Sequence, residues 1–107
     1  MTSAGKTSQL PHAYTLDSIF HALADPTRRA ILQAAATEAR SISEVAEPHP
    51  VSLAAVSKHV RVLEKAGLLR RHRQGRRHLL FCDANALHHA QRWLQEYRQI
   101  LEQLPDA

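Results

Sequence analysis

Leu16, Ile19, Phe20 and Leu23 recur at i, i+3, i+4 and i+7, which is one face of a short helix with Thr15 as its cap. Asp25 restarts the chain as an N-cap, and Pro26 suits the first helical position, where its missing N–H costs nothing. The spacing predicts a second helix to about Ala36, with Ile31, Leu32 and Ala35 turned inward and Arg28 and Arg29 off that face. Ser41-Ile42-Ser43-Glu44 reads as a capping box opening a short third helix, which Pro48 and Pro50 stop soon after Ala46. Ser52 caps a fourth helix, and Gly67, suited to a left-handed C-terminal cap, ends it. Two short helices on a tight connection fit a helix-turn-helix unit.

After Gly67 the period changes. Leu68-Leu69 and Leu79-Leu80-Phe81 flank a polar tip with Gln74-Gly75, the pattern of a β-hairpin turning at a glycine. From Asp83 to Leu104 a helical period returns, and Leu87, Ala90, Leu94, Tyr97, Leu101 and Leu104 follow the 3, 4 spacing of a heptad seam, widened by Trp93 and Ile100. That seam is too apolar to be left in water. It could close the core of one chain or join two. The fold class expected is therefore mainly α with a small β-hairpin (α+β). Met1 to Ala13, rich in Ser and Thr with no apolar period, is expected to be a flexible tail ahead of one domain over 14–107, whose last helix runs over about 84–104.

Composition narrows the class. A length of 107 residues suits one domain, since single cores typically span about 100 to 150 residues. Apolar residues at 44% and charged ones at 22% are near the globular average, which argues against disorder throughout. Without a run of about 18 apolar residues or an apolar leader, the expectation is a cytoplasmic chain that makes no use of a membrane. Cys82 is the only cysteine, so neither an intrachain disulfide nor a four-cysteine zinc site can form.

Charge is concentrated. Between Lys58 and His78 stand eight Lys or Arg (Lys58, Arg61, Lys65, Arg70, Arg71, Arg73, Arg76, Arg77) against Glu64 alone, a net +7 in a chain whose total is +4. The remainder is therefore slightly acidic. A block of this kind is either a solvated face or the footprint of polyanion binding. Projected at about 100° per residue, the fourth helix puts Leu53, Val56, Val60 and Leu63 on one face and Ala54, Lys58, Arg61 and Lys65 on the other, with Ala55 and Ser57 beside them. Short side chains at the start let a helix approach base edges, and donors further along reach bases and phosphates. An ordinary amphipathic surface helix has the same pattern.

Two long motifs turn this balance. FHALADPTRRAIL from Phe20 to Leu32 resembles the opening signature of the arsenic-repressor (ArsR/SmtB) family of bacterial winged-helix regulators, and SLAAVSKHVRVLEKAGL from Ser52 to Leu68 is similar to its recognition helix. Arg71 to His78 falls where that family has its wing. The resemblance covers about Leu16 to Leu104. It implies a winged helix-turn-helix fold that dimerises through its first and last helices, with Leu16, Ile19, Phe20, Leu87, Leu94, Tyr97 and Leu101 at the interface. It also implies repression at an inverted-repeat operator in double-stranded DNA, relieved by an inducer the sequence does not identify. By position it sets Ala54, Ala55, Ser57 and Lys58 toward base edges, His59 and Arg61 toward phosphate or the groove wall, and Arg76 and Arg77 toward backbone or minor groove. His72 and His78 fit phosphate donors or exposed strand positions equally well.

Metal chemistry fits poorly. The resemblance implies one sensor site built on third-helix cysteines, but the matching stretch Ser43 to Glu47 has none. A second site, on the last helix, would use the positions of Ala86, His88, Gln99 and Glu102, of which only His88 and Glu102 can ligate. Two ligands per chain do not complete a tetrahedral zinc site. The expectation is no metal and no cofactor, with His88 and Glu102 as weak candidates. Cys82, at the end of an apolar strand, reads as a small buried residue without a resolving partner. His21, His59, Asp83 and Glu96 offer acids and bases, but no phosphate loop or nucleophile motif accompanies them, so an enzyme is not expected.

Overall fold

A computed structural model describes residues 15–105. The tail expected over Met1 to Ala13 lies outside the described residues. Among the described residues, five helices and a three-stranded antiparallel sheet follow in the order α1 (Leu16–Leu23), α2 (Pro26–Thr37), β1 (Arg40–Ser41), α3 (Ile42–Ala46), α4 (Leu53–Lys65), β2 (Leu69–Gln74), β3 (Arg77–Cys82) and α5 (Ala84–Gln103).

The caps form as the sequence dictates. Thr15 and Ser18 make a reciprocal box at α1, the Asp25 carboxylate accepts the Arg28 backbone N–H at 3.0 Å, and Ser41 and Glu44 satisfy each other's backbone N–H groups at α3. At the end of α4, Gly67 takes φ 78°, with the Gly67 N–H bonded to the Glu64 carbonyl at 3.0 Å and the Leu68 N–H to that of Leu63 at 2.9 Å. This is a Schellman motif, with Leu63 and Leu68 both buried beneath it. It reverses the chain directly into β2.

The sheet is larger than the expected hairpin. β3 is central, pairing with β2 from Leu69↔Cys82 to Gln74↔Arg77 and with β1 through Arg40↔Leu80 and Ser41↔Leu79. Ser41 thus closes β1 and caps α3 at once, tying the sheet to the helix-turn-helix unit. One core lies between the helices and the base of this sheet, built from Ile19, Ile31, Val45, Val56, Val60, Leu63, Leu68 and Leu80, among others. Burying a side chain of this size contributes about 1.5–3 kcal/mol.

One expectation is corrected by this packing. Ile19, assigned to a subunit interface, is 0% exposed inside the core of its own chain, because α1 packs on α2, α4 and α5 and needs that face inward. Leu16 and Leu87 are half-buried against the same core. The last helix divides: Ala86 and Ala90 are buried and Leu87 packs behind them, whereas Trp93, Leu94, Tyr97, Ile100, Leu101 and Leu104 remain exposed. Its seam therefore closes the monomer over its first turns and leaves the rest unpartnered.

Substituting Gly67→Ala forces a Cβ into the left-handed region and should lower stability by about 1–2 kcal/mol. Urea unfolding should show a reduced midpoint with unchanged slope; an unaltered midpoint would mean that the Schellman turn is dispensable.

Candidate nucleic-acid interface

The buried stripe of α4, Val56, Val60 and Leu63, fixes the helix's rotation. Opposite it, Ala54, Lys58, Arg61 and Lys65 are exposed, with Ala55, Ser57 and His59 half-buried at the margins. The Ser52 side chain accepts the Ala55 N–H at 3.1 Å, so the start of the helix is closed by its own cap. Leu53 departs from the expected pattern. Assigned to the inner face, it is 53% exposed, because it precedes Val56 and projects from the first turn beyond the edge of the core.

The wing is built from β2 and β3. Its two-residue turn, Gly75-Arg76, has Gly75 at φ 63° and a negative φ at Arg76, the pattern of a II′ turn. Its cations are not equivalent. Arg71 makes two hydrogen bonds of 3.1 Å to the Glu64 carboxylate, Arg77 meets Glu44 at 3.3 Å, and Arg70 lies 3.6 Å from Asp83. Arg73 donates to the Gly75 carbonyl at 3.1 Å. Among the described residues Lys58, Arg61, Lys65 and Arg76 have no carboxylate partner. The Arg76 and Arg77 pair expected to act alike is thus split: Arg76 stands at the tip, while Arg77 is tethered to α3. An open cleft of about 340 Å³ separates wing from α3, lined by Ser41, Ser43, Arg71, Arg76, Arg77 and His78, among others.

Behind this face lies a support that the sequence pattern did not reveal. The Arg28 guanidinium donates to the carbonyls of Ala22 at 2.7 Å and His21 at 2.9 Å, and Arg29 donates to that of Leu23 at 2.8 Å. These are last-turn carbonyls of α1, which need donors from outside the helix and favour cations. Arg28 also lies 3.2 Å from His59 Nδ1. An arginine has no acceptor, so Nδ1 must be the unprotonated nitrogen and the ring proton sits on Nε2. His59, expected toward phosphate or the groove wall, is therefore held from behind. The readable signal was two arginines one turn after a helix end that lacks donors.

Burial, with Asp83 next in the chain, raises the Cys82 thiol above its usual range, which disfavours the thiolate. His88 Nδ1 is 3.3 Å from the Gln91 side-chain oxygen, and Glu102 is paired with Arg98 at 3.3 Å, so the two weak metal candidates have other partners. Phe20 meets Trp93 edge-on at 5.9 Å, and Trp93 stacks on Tyr97 at 5.0 Å, forming an exposed aromatic ridge from α1 to α5.

A helix-turn-helix domain model matches residues 23–72. The chain is 39% identical over 71 residues to the HTH-type transcriptional regulator Rv2034 of Mycobacterium tuberculosis, covering 66% of each chain. It is 32% identical over 60 residues to the transcriptional repressor SdpR of Bacillus subtilis, covering 56% of this chain and 67% of that one. These matches span about two thirds of each relative's length. The crystal structure of an ArsR family transcriptional regulator superposes with a TM-score of 0.77 at 36% identity, over 84% of this chain and 93% of that one.

Replacing Arg28 by Met keeps the stem and removes every donor, and should lower stability by about 1–3 kcal/mol, whereas Arg61→Ala should stay within about 0.5 kcal/mol. Chemical denaturation of the two variants side by side checks this contrast.

Acid should also unfold the protein. The Asp25 carboxyl is held below its ordinary range chiefly by the Arg28 backbone N–H, and that of Glu44 chiefly by the Ser41 backbone N–H. A depressed folded-state pKa contributes stability above the unfolded value, near 4, and loses it as pH falls through the folded one. The contribution of these two carboxylates should be complete above about pH 5 and decline below it. Asp25→Asn and Glu44→Gln should each flatten that decline.

Proposed function

Because the chain belongs to the ArsR family of helix-turn-helix transcriptional regulators, we propose that it binds an inverted-repeat operator in double-stranded DNA as a homodimer and represses transcription there until an inducer releases it. The observation that carries this reading is the exposed face of α4: Ala54 opens it, and Lys58, Arg61 and Lys65 follow without carboxylate partners. Cations left unneutralised beside a short side chain suit a helix tip in the major groove flanked by phosphates. Ala55 and Ser57 complete the base-facing arc, His59 offers Nε2–H to a phosphate, and Arg76 reaches the backbone from the wing.

Pairing is supported by the exposed ridge. Phe20, Trp93, Leu94, Tyr97, Ile100 and Leu101 together form more apolar surface than isolated exposed side chains would. A second copy covering it buries both ridges across a two-fold axis and sets two recognition helices about one DNA turn, roughly 34 Å, apart. Leu16 and Leu87 lie behind this surface. No described helix is long and apolar enough to cross a membrane, which accords with a cytoplasmic regulator. We also infer that it is not an enzyme and holds no metal, since the cleft is lined by arginines, serines and His78 with no acidic residue among them, and His88 and Glu102 are engaged elsewhere.

In a gel-shift titration, Lys58→Ala and Arg61→Ala should each weaken specific binding by about 1–3 kcal/mol. Arg76→Ala should reduce the log–log salt slope by about 0.9, the value for one lost phosphate contact. Arg77→Ala should change it less, because Arg77 must first leave Glu44. Unchanged affinity in all four would mean that the reading face is elsewhere.

Light scattering should give about twice the 12.0 kDa chain mass. Leu94→Glu with Leu101→Glu should reduce it to one chain, since each buries an unpaired carboxylate in an apolar contact. A monomer before substitution would overturn the pairing.

A further inference from the structure

The apolar surface at the mouth of α4 is not explained by the cations that flank it. Leu53 occupies the first helical position and is 53% exposed, and Val51, just before the Ser52 cap, is 44% exposed. Neither belongs to the buried core. The inner face of α4 is complete without them, since Val56, Val60 and Leu63 are fully buried. Solvent thus meets two branched aliphatic side chains where the DNA reading above puts the groove.

We propose that Leu53, with Val51 beside it, contacts the 5-methyl groups of thymine in the major groove and so sets the base preference under the first turn of α4. This rests on the DNA-binding reading and deepens it. Thymine is the one DNA base that presents a methyl group there. Leu53 heads the i, i+4, i+8 stripe Leu53, Ser57, Arg61, which runs beside Ala54, Lys58 and Lys65. An apolar group at the tip, a hydroxyl one turn on and cations beyond match a groove whose floor carries methyls and whose walls carry phosphates. Charge complementarity names the occupant. Because Lys58, Arg61 and Lys65 lack carboxylate partners, this apolar spot is set in a cationic surface, which suits a polyanion better than the apolar patch of another protein.

The test uses the full chain and duplexes selected by it from a random-sequence pool. Thymines in the recovered half-site are replaced one at a time by deoxyuridine, which lacks the 5-methyl group alone. One or two positions per half-site should lose about fourfold in affinity, the value of one methyl removed from apolar contact. In Leu53→Ala or Val51→Ala that penalty should disappear, while Lys58→Ala should weaken binding and keep it. Both aliphatic side chains are exposed, so their truncation spares the core, and the uracil scan of the unaltered protein stands without them. A scan in which no thymine loses as much as about twofold, or a penalty that persists in both truncations, would overturn the inference and leave the DNA reading intact. Recovery of no preferred sequence would overturn both.

Discussion

The last carbonyls of α1 must be answered by donors from elsewhere, and Arg28 answers two of them while touching the helix that faces outward. One guanidinium thereby joins three elements. α1 carries Ile19 into the core and Phe20 onto the aromatic ridge, α2 supplies the arginine, and α4 presents the basic face through His59. The forked geometry matters, since a lysine could reach one of these acceptors but could not hold its donors fixed toward all three. Position on the outer surface is thus set from inside, by a residue that makes no outward contact of its own.

The local grammar of the chain was legible because each signal is short-ranged. Asp25-Pro26, Ser41 with Glu44, Ser52 and Gly67 all cap where propensity says they should. The outer face of α4 followed from its period. β1 did not, because Arg40–Ser41 is too short to show alternation and exists only through pairing with Leu79 and Leu80. Ile19 misled for a related reason: periodicity identifies an apolar face but not which surface covers it. Leu53 failed because a residue in the first turn can overhang the core while sharing the angle of its inner face. The role of Arg28 escaped the periodicity because its acceptors lie on another helix.

Net charge overstated the wing. Of the eight cations between Lys58 and His78, Arg70, Arg71 and Arg77 are matched by Asp83, Glu64 and Glu44. Exposed pairs of this kind contribute little stability, yet they orient long side chains and reduce the field felt outside. The positive potential is therefore concentrated on α4 and at Arg73 and Arg76 of the wing, so the surface discriminates by where its charge is left uncompensated rather than by how much the chain carries.

The division of α5 has a consequence for control by abundance. Its first turns rest on the chain's own core, while the apolar side chains from Trp93 onward stay exposed, Trp93 meeting Phe20 of α1 edge-on. Under the proposed pairing, order in that stretch belongs to two chains jointly and follows mass action. At low abundance the active form then grows with the square of the chain concentration, so halving that concentration removes three quarters of it. The overhang makes the protein a gauge of its own dosage.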